Sequence, residues 1–274
     1  MLPALLTACS AVDVLNATVP TDSYRRTDGL AYGPDPRQQL DVYQPAGQST
    51  GAPMVVFFYG GSWSSGDRAD YRFVGEALAS RGIVTVVADY RLSPAFRYPV
   101  FVQDSASAVR WAFDHAAEYG ADDKRVFVMG HSAGAYNAAM VALDSRWLTA
   151  VGASPSRLAG WIGLAGPYDF LPIGDKQTQV AFSWPDTQPE SQPIVHASSV
   201  SPPALLLAPQ QDSVVDPQRS TAALARQLQT AGVRVESALY AGVSHVTLLG
   251  SMAYILRSRA PVLERVTAFV QAGG

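Results

Sequence analysis

Between Val126 and Met140 the chain reads VFVMGHSAGAYNAAM. A short apolar run breaks at Gly130-His131-Ser132-Ala133-Gly134, and small residues with helical character follow. A serine with glycine two positions to either side, set between strand and helix, fits a turn too tight for side chains at the flanking positions. Such a turn raises the hydroxyl above a sheet edge at a helix N-terminus. Acyl transfer is the chemistry within its reach. A hydroxyl is a weak nucleophile near neutral pH, so a histidine must take its proton and a carboxylate must orient that histidine.

The chain holds four histidines, His115, His131, His196 and His245. A serine raised by this kind of turn is followed along the chain by its acid and then its base, which removes His115. His131 is the neighbour of Ser132 on the turn and points away from it. His245, in LYAGVSHVTLL, follows the last strand, so it falls at the carboxyl edge of the sheet, where open α/β sheets bind ligands. Asp212, in ALLLAPQQDSVVD, ends a strand at that same edge. Asp216 lies farther along, just before Pro217, and suits an N-cap, so Asp212 is preferred as the orienting acid. His196 precedes both acids inside an irregular stretch and is expected at the surface or in a substrate loop.

The tetrahedral intermediate of acyl transfer carries an oxyanion that backbone N–H groups must hold. One donor is the residue after the nucleophile, Ala133. The others must come from a loop leaving an earlier strand. Tyr59-Gly60-Gly61-Ser62-Trp63 leaves the buried run Met54 to Phe58, and its glycines let backbone approach a substrate carbonyl. Tyr59, Trp63 and His131 are the candidates for the substrate pocket beside it.

These residues need a scaffold, and the apolar patterning supplies one. Met54 to Phe58, IVTVVADY, RVFVMG, LAGWIGLAG, ALLLAP and RVESALYAG read as strands. Between them ADYRFVGEALASRG, VQDSASAVRWAFDHAAEYG, AGAYNAAMVALD and QRSTAALARQLQTAG read as helices, and PVLERVTAFVQ closes the chain as another. Alternation of this kind predicts a mainly parallel sheet with helices on both faces. Two extended pieces around Gly33-Pro34-Asp35-Pro36 add an antiparallel N-terminal edge. Residues 23–274 are expected to form one α/β domain with no large cap, preceded by an arm at 1–22. The stretch from about Pro167 to Pro203 lacks periodicity and is long enough to be a lid or binding loop.

With 274 residues, 48% hydrophobic and 16% charged, the chain suits one globular domain. Its net charge is −3 and its basic residues form no run, which argues against nucleic acid as a partner. A single cysteine and scattered histidines offer no metal-ligand spacing, so no metal is expected. That cysteine, Cys9, ends Leu6-Thr7-Ala8-Cys9 after an apolar start, as in the lipobox that precedes a lipidated cysteine in bacterial lipoproteins. The segment lacks a basic beginning and full apolar length, which a start codon placed too late would explain. Lipidation would anchor the chain in the bacterial cell envelope, facing the periplasm; a frayed arm on a cytoplasmic protein is the other reading.

Three segments together resemble the serine carboxylesterases of the α/β-hydrolase fold: Tyr59-Gly60-Gly61-Ser62-Trp63, Asp89-Tyr90-Arg91-Leu92-Ser93-Pro94 and Gly130-His131-Ser132-Ala133-Gly134. The likeness spans most of Leu40 to Gln271. It is nearest to the bacterial hormone-sensitive-lipase-like esterases and to the feruloyl-esterase-like and kynurenine-formamidase-like enzymes, and His131 in place of aspartate tilts it toward the latter two. The resemblance implies Ser132, Asp212 and His245 as the catalytic residues, Gly61, Ser62 and Ala133 as oxyanion donors, and no cofactor. It further implies that Asp89 and Arg91 brace the loop and that Asp104 is structural. The ligand would be a small-molecule ester with a short acyl chain or an aryl group, entering an open site. An amidase acting on an aryl formamide, as kynurenine formamidase does, or a lipid-anchored binding protein that has kept the fold without the chemistry, are the rival readings. Two positions depart from the pattern: Tyr59 replaces a histidine, and Ala208-Pro209-Gln210-Gln211-Asp212 replaces H-G-x-x-D.

Overall fold

A computed structural model describes residues 11–47 and 50–274, so Cys9 lies outside the described residues. Helix α1 (Ala11–Ala17) leads into an antiparallel pair, β1 (Tyr24–Ala31) and β2 (Gln39–Pro45). There follow β3 (Ala52–Phe58), α2 (Arg72–Ala79), β4 (Val84–Ala88), α3 (Val100–His115), β5 (Ala121–His131), α4 (Ala133–Leu143) and α5 (Ser145–Ala150). The chain continues through β6 (Leu158–Leu164), α6 (Lys176–Ala181), β7 (Ala204–Pro209), α7 (Ala223–Thr230), β8 (Val235–Tyr240), α8 (His245–Gly250) and α9 (Val262–Gln271).

The eight strands make one sheet in the order β1-β2-β4-β3-β5-β6-β7-β8. It is parallel from β4 to β8, with β1 and β2 as the expected antiparallel edge. Every residue of β3, β4 and β7 is buried, as unbroken apolar strands covered on both faces should be. One helical layer is α3, α4 and α5, and α2 packs with α9 in another. Strand β8 is half-buried except at exposed Ser237, because it is the last strand of the sheet.

The strand order places the site. The chain runs from β3 outward to β4, then returns to lay β5 on the opposite side of β3. The strand order therefore switches direction between β3 and β5, and a crevice opens at their carboxyl ends. Phe58, the last residue of β3, pairs with Gly130 of β5. The loops that carry Gly60 and Ser132 thus leave the sheet side by side.

Residues 11–17, expected as part of a polar arm, form a helix fixed to the domain. The Asn16 side chain donates to the carbonyls of Ala69 and Asp70 at 3.1 and 3.0 Å, and its oxygen accepts from the Phe73 N–H at 3.3 Å. The Pro167–Pro203 stretch holds α6 and two 3₁₀ turns, at Pro189–Ser191 and Pro193–His196, and lies over the carboxyl ends of the strands. Among the described residues no helix is long and apolar enough to cross a membrane.

Candidate active site

Strand β5 ends at His131 and α4 begins at Ala133, which leaves Ser132 alone to make the turn, at φ 54° and ψ −123°. This backbone conformation costs a non-glycine residue on the order of 1–3 kcal/mol, so the surroundings must impose it. The Ser132 N–H donates to Leu164 O on β6 at 2.9 Å, and its carbonyl accepts from Ala135 N and Tyr136 N at 2.9 and 3.2 Å. A side chain on Gly130 would strike the Gly134 carbonyl, and one on Gly134 would strike that of Phe58. Both glycines are therefore fixed by close approach of backbone.

His245 Nε2 lies 2.8 Å from Ser132 Oγ, and His245 Nδ1 lies 2.7 Å from Asp212 Oδ2. An ionised carboxylate only accepts, so Nδ1 carries the proton and Nε2 offers its lone pair to the hydroxyl. Asp212 Oδ1 accepts from the N–H groups of Val214 and Val215 at 2.8 and 3.2 Å, which turns Oδ2 toward the imidazole. Asp216 accepts instead from Gln218 N and Arg219 N at 2.8 and 3.1 Å, the cap expected of it. His196 lies on the loop, with Nε2 2.7 Å from Glu190 O, away from the serine.

His245 is the first residue of α8, a helix absent from the sequence pattern. Ser244 caps it, and Ser244 and Thr247 hydrogen-bond reciprocally in a capping box. His131 adds a second hold: its Nε2 is 2.9 Å from the carbonyl oxygen of His245. A carbonyl only accepts, so His131 Nε2 is the protonated nitrogen of a neutral ring. Burial, reinforced by the neighbouring His245, lowers the pKa of His131 to about 3. His131 also lines a cavity beside Ser132, as a pocket candidate should.

Gly61, Ser62 and Trp63 take φ values of 124°, 50° and 55°, a run of left-handed backbone in which the two non-glycine residues are strained. The Gly61 carbonyl accepts from the N–H groups of Ser64 and Ser65 at 2.9 and 3.1 Å, closing the loop on itself. Among the described residues, no acceptor takes a hydrogen bond from the N–H of Gly61 or Ser62. The Ala133 N–H is free as well, because it begins α4. Trp63 donates from Nε1 to Asn137 Oδ1 at 3.0 Å and packs against Phe101, Phe170 and Phe182. A lone polar residue within the apolar AGAYNAAMVAL helix was the available signal for Asn137.

Tyr59 is not a pocket residue. It is fully buried behind the loop, with its ring between Tyr71 and Tyr90 at centroid distances of 5.1 and 5.0 Å. Its hydroxyl donates to Asp89 Oδ1 at 2.6 Å and accepts from Arg37 Nη2, also at 2.6 Å. Burial above all, then Tyr90 and Asp89, pushes the phenol far above its ordinary pKa, so it stays protonated. Asp89 further accepts from the Arg68 N–H at 2.8 Å and from the Arg68 guanidinium, while Arg37 donates to Gly66 O at 2.9 Å. Asp89 therefore ties both ends of the loop, as expected. Arg91 does not brace it through its side chain: its guanidinium forms a bidentate pair with buried Asp104, at 2.7 and 2.9 Å. Arg37 has no sequence signal, since its partners lie 22 to 53 residues away.

Two cavities, each of about 280 Å³, meet at Ser132. One runs between Trp63, Ala133 and the long loop, where Phe170, Ile173, Asp175 and Thr178 line it. The other lies between α1, α2 and α8 and is lined by Leu15, Tyr71, Phe73, His245 and Leu249, among others. Ser62, Ser132 and Val214 belong to both. A nucleophile, a base oriented by a carboxylate, free N–H donors and a groove on either side suit acyl transfer.

A family model described as BD-FAE matches residues 40–228. The chain is 29% identical over 241 residues to the probable isoprenylcysteine alpha-carbonyl methylesterase ICMEL1 of Arabidopsis thaliana, covering 80% of this chain and 50% of that one. It is 41% identical over 107 residues to carboxylesterase NlhH of Mycobacterium tuberculosis, covering 38% of this chain and 33% of that one. The chain thus spans about half the length of the first of these relatives and a third of the second. Its fold is like that of a truncated carbohydrate esterase from gut microbiota, with TM-score 0.80, 18% identity and coverage of 93% and 98% of the two chains. It is also like that of an esterase of Pyrobaculum calidifontis, with TM-score 0.78, 24% identity and coverage of 96% and 89%.

Proposed function

The chain belongs to the BD-FAE family, and we propose that it is a serine carboxylic-ester hydrolase that works through an acyl-enzyme. The observation that carries this reading is the unbroken line Ser132–His245–Asp212, at 2.8 and 2.7 Å, opposite the free N–H groups of Gly61, Ser62 and Ala133. Ser132 Oγ attacks the ester carbonyl carbon while its proton passes to His245 Nε2. Asp212 stabilises the imidazolium that results. The carbonyl oxygen becomes an oxyanion held by the three N–H groups, each worth roughly two to three orders of magnitude in kcat. Collapse breaks the bond to the alcohol oxygen, which takes the proton from Nε2 and departs. Water then attacks the acyl-serine by the same steps and releases the acid.

Two cavities of about 280 Å³ suit esters with a short acyl chain or an aryl group. The test is a panel of p-nitrophenyl esters of rising chain length, feruloyl esters and N-formylkynurenine, with Ser132→Ala as control. Turnover of p-nitrophenyl acetate or butyrate that vanishes in Ser132→Ala is expected. Faster turnover of the formamide would make the chain an amidase. No turnover and no fluorophosphonate labelling of folded protein would make it a binding protein.

A further inference from the structure

Nothing in the sequence pattern announces the cavity between α1, α2 and α8, because α1 is too short for helical spacing to show. We infer that this cavity is the leaving-group subsite, shaped for an uncharged apolar alcohol, and that α1 is a substrate-binding element. The inference rests on the ester-hydrolase reading given above.

The assignment follows from where the proton must go. The tetrahedral carbon bears four groups: Ser132 Oγ, the oxyanion, the acyl chain and the leaving oxygen. The oxyanion faces the N–H groups of Gly61, Ser62 and Ala133. The leaving oxygen must come within hydrogen-bond reach of His245 Nε2, because that nitrogen returns the proton that lets the alcohol depart. His245 lines the cavity beside α1 and does not line the one under the long loop. The alcohol half therefore points toward α1, and the acyl half lies between Trp63 and Ile173.

The lining sets the chemistry of that alcohol. Leu15, Tyr71, Phe73, Val246 and Leu249 present apolar surface, and no Asp, Glu, Lys or Arg is among the described lining residues. His131, in the same wall, stays neutral. A cavity of roughly 150 Å³ is enough to hold benzene, so about 280 Å³ accommodates an aryl or branched alkyl group. Helix α1 is held against this wall by the three hydrogen bonds of Asn16, which sits one residue after Leu15. The first cavity differs: Asp175 and Thr178 give it a polar end.

The experiment crosses one substitution in each cavity with one bulky group in each half of the ester. Ethyl acetate is the reference; 2-phenylethyl acetate enlarges the alcohol and ethyl 3-phenylpropanoate the acyl group. Leu15→Trp fills the cavity beside α1, and Ile173→Trp fills the other. Expected for Leu15→Trp is a fall of about tenfold in kcat/KM for 2-phenylethyl acetate relative to ethyl acetate, the scale on which apolar pockets discriminate. The ratio for ethyl 3-phenylpropanoate should hold within about twofold, and Ile173→Trp should show the reverse pattern. Val12→Phe, three residues earlier in the same wall, supplies a second variant should Leu15→Trp fold poorly. Selectivity indifferent to both α1 substitutions, or a loss confined to the acyl series, overturns the assignment alone. Absence of turnover by the wild-type chain on all three esters overturns the ester-hydrolase reading together with it.

Discussion

Tyr59→Phe removes one oxygen atom from behind the oxyanion loop and keeps the ring stack. In the structure that oxygen donates to buried Asp89 and accepts from Arg37, both at 2.6 Å. After the change Arg37 retains the carbonyls of Gly66 and Tyr90, at 2.9 and 3.0 Å, and Asp89 retains its bonds from Arg68. Neither charge is abandoned, so the loss is that of two hydrogen bonds to charged groups whose partners keep other contacts, about 3 kcal/mol in all. For a domain of this size that corresponds to a fall of about 5 °C in Tm. The catalytic effect is indirect, because Gly61 and Ser62 follow Tyr59 by two and three residues. Losing one oxyanion donor outright costs roughly 100- to 1,000-fold in kcat; a loosened loop that keeps its donors should cost about tenfold. The donors meet charge that exists only in the transition state, so KM should change by no more than about twofold. Thermal melts and steady-state kinetics on p-nitrophenyl acetate measure both effects. A variant with wild-type Tm and wild-type kcat would refute the claim that Tyr59 steadies the loop.

Asp212→Asn should lower kcat by about 10,000-fold by upsetting the histidine tautomer, while Asp216→Ala should leave kcat within about twofold and cost about 1 kcal/mol of stability through the lost cap. Equal losses in the two variants would return the choice of acid to open. Because the pKa of His131 is about 3 in the folded chain against the ordinary 6.5, the unfolded chain binds the proton first as pH falls. The contribution of His131 is thus whole above pH 6.5 and declines toward pH 3, by up to about 1.4 kcal/mol per pH unit. Urea melts between pH 7 and pH 4 should show a shallower decline for His131→Gln than for wild type, and parallel declines would contradict the buried neutral ring. Trp63→Phe leaves Asn137 Oδ1 buried without its donor and should cost about 1–3 kcal/mol in the same melts.

The sheet was legible because its central strands are unbroken apolar runs, and Met54 to Phe58 and Ala204 to Pro209 lie where that pattern places them. Ser132, Asp212 and His245 were legible because each sits just past a strand end and because few histidines compete. Helices α1, α6 and α8 were not: at 6 to 7 residues they span under two turns, too little for apolar spacing to declare itself. The cavity beside α1 was hidden with them. The role of Tyr59 was hidden for a different reason, since its partners Arg37 and Asp89 come from two other loops that only the sheet brings together. Arg91 was assigned to the loop by the family resemblance alone, whereas buried Asp104 on α3 offers its guanidinium a bidentate match.

The central claim is an acyl group carried on Ser132, and the most direct measurement is intact-protein mass spectrometry with peptide mapping after reaction with a fluorophosphonate. A single adduct located on Ser132 is expected, formed in step with the loss of p-nitrophenyl acetate hydrolysis and absent from Ser132→Ala. An adduct on another residue, or ester hydrolysis that survives in Ser132→Ala, would contradict that claim.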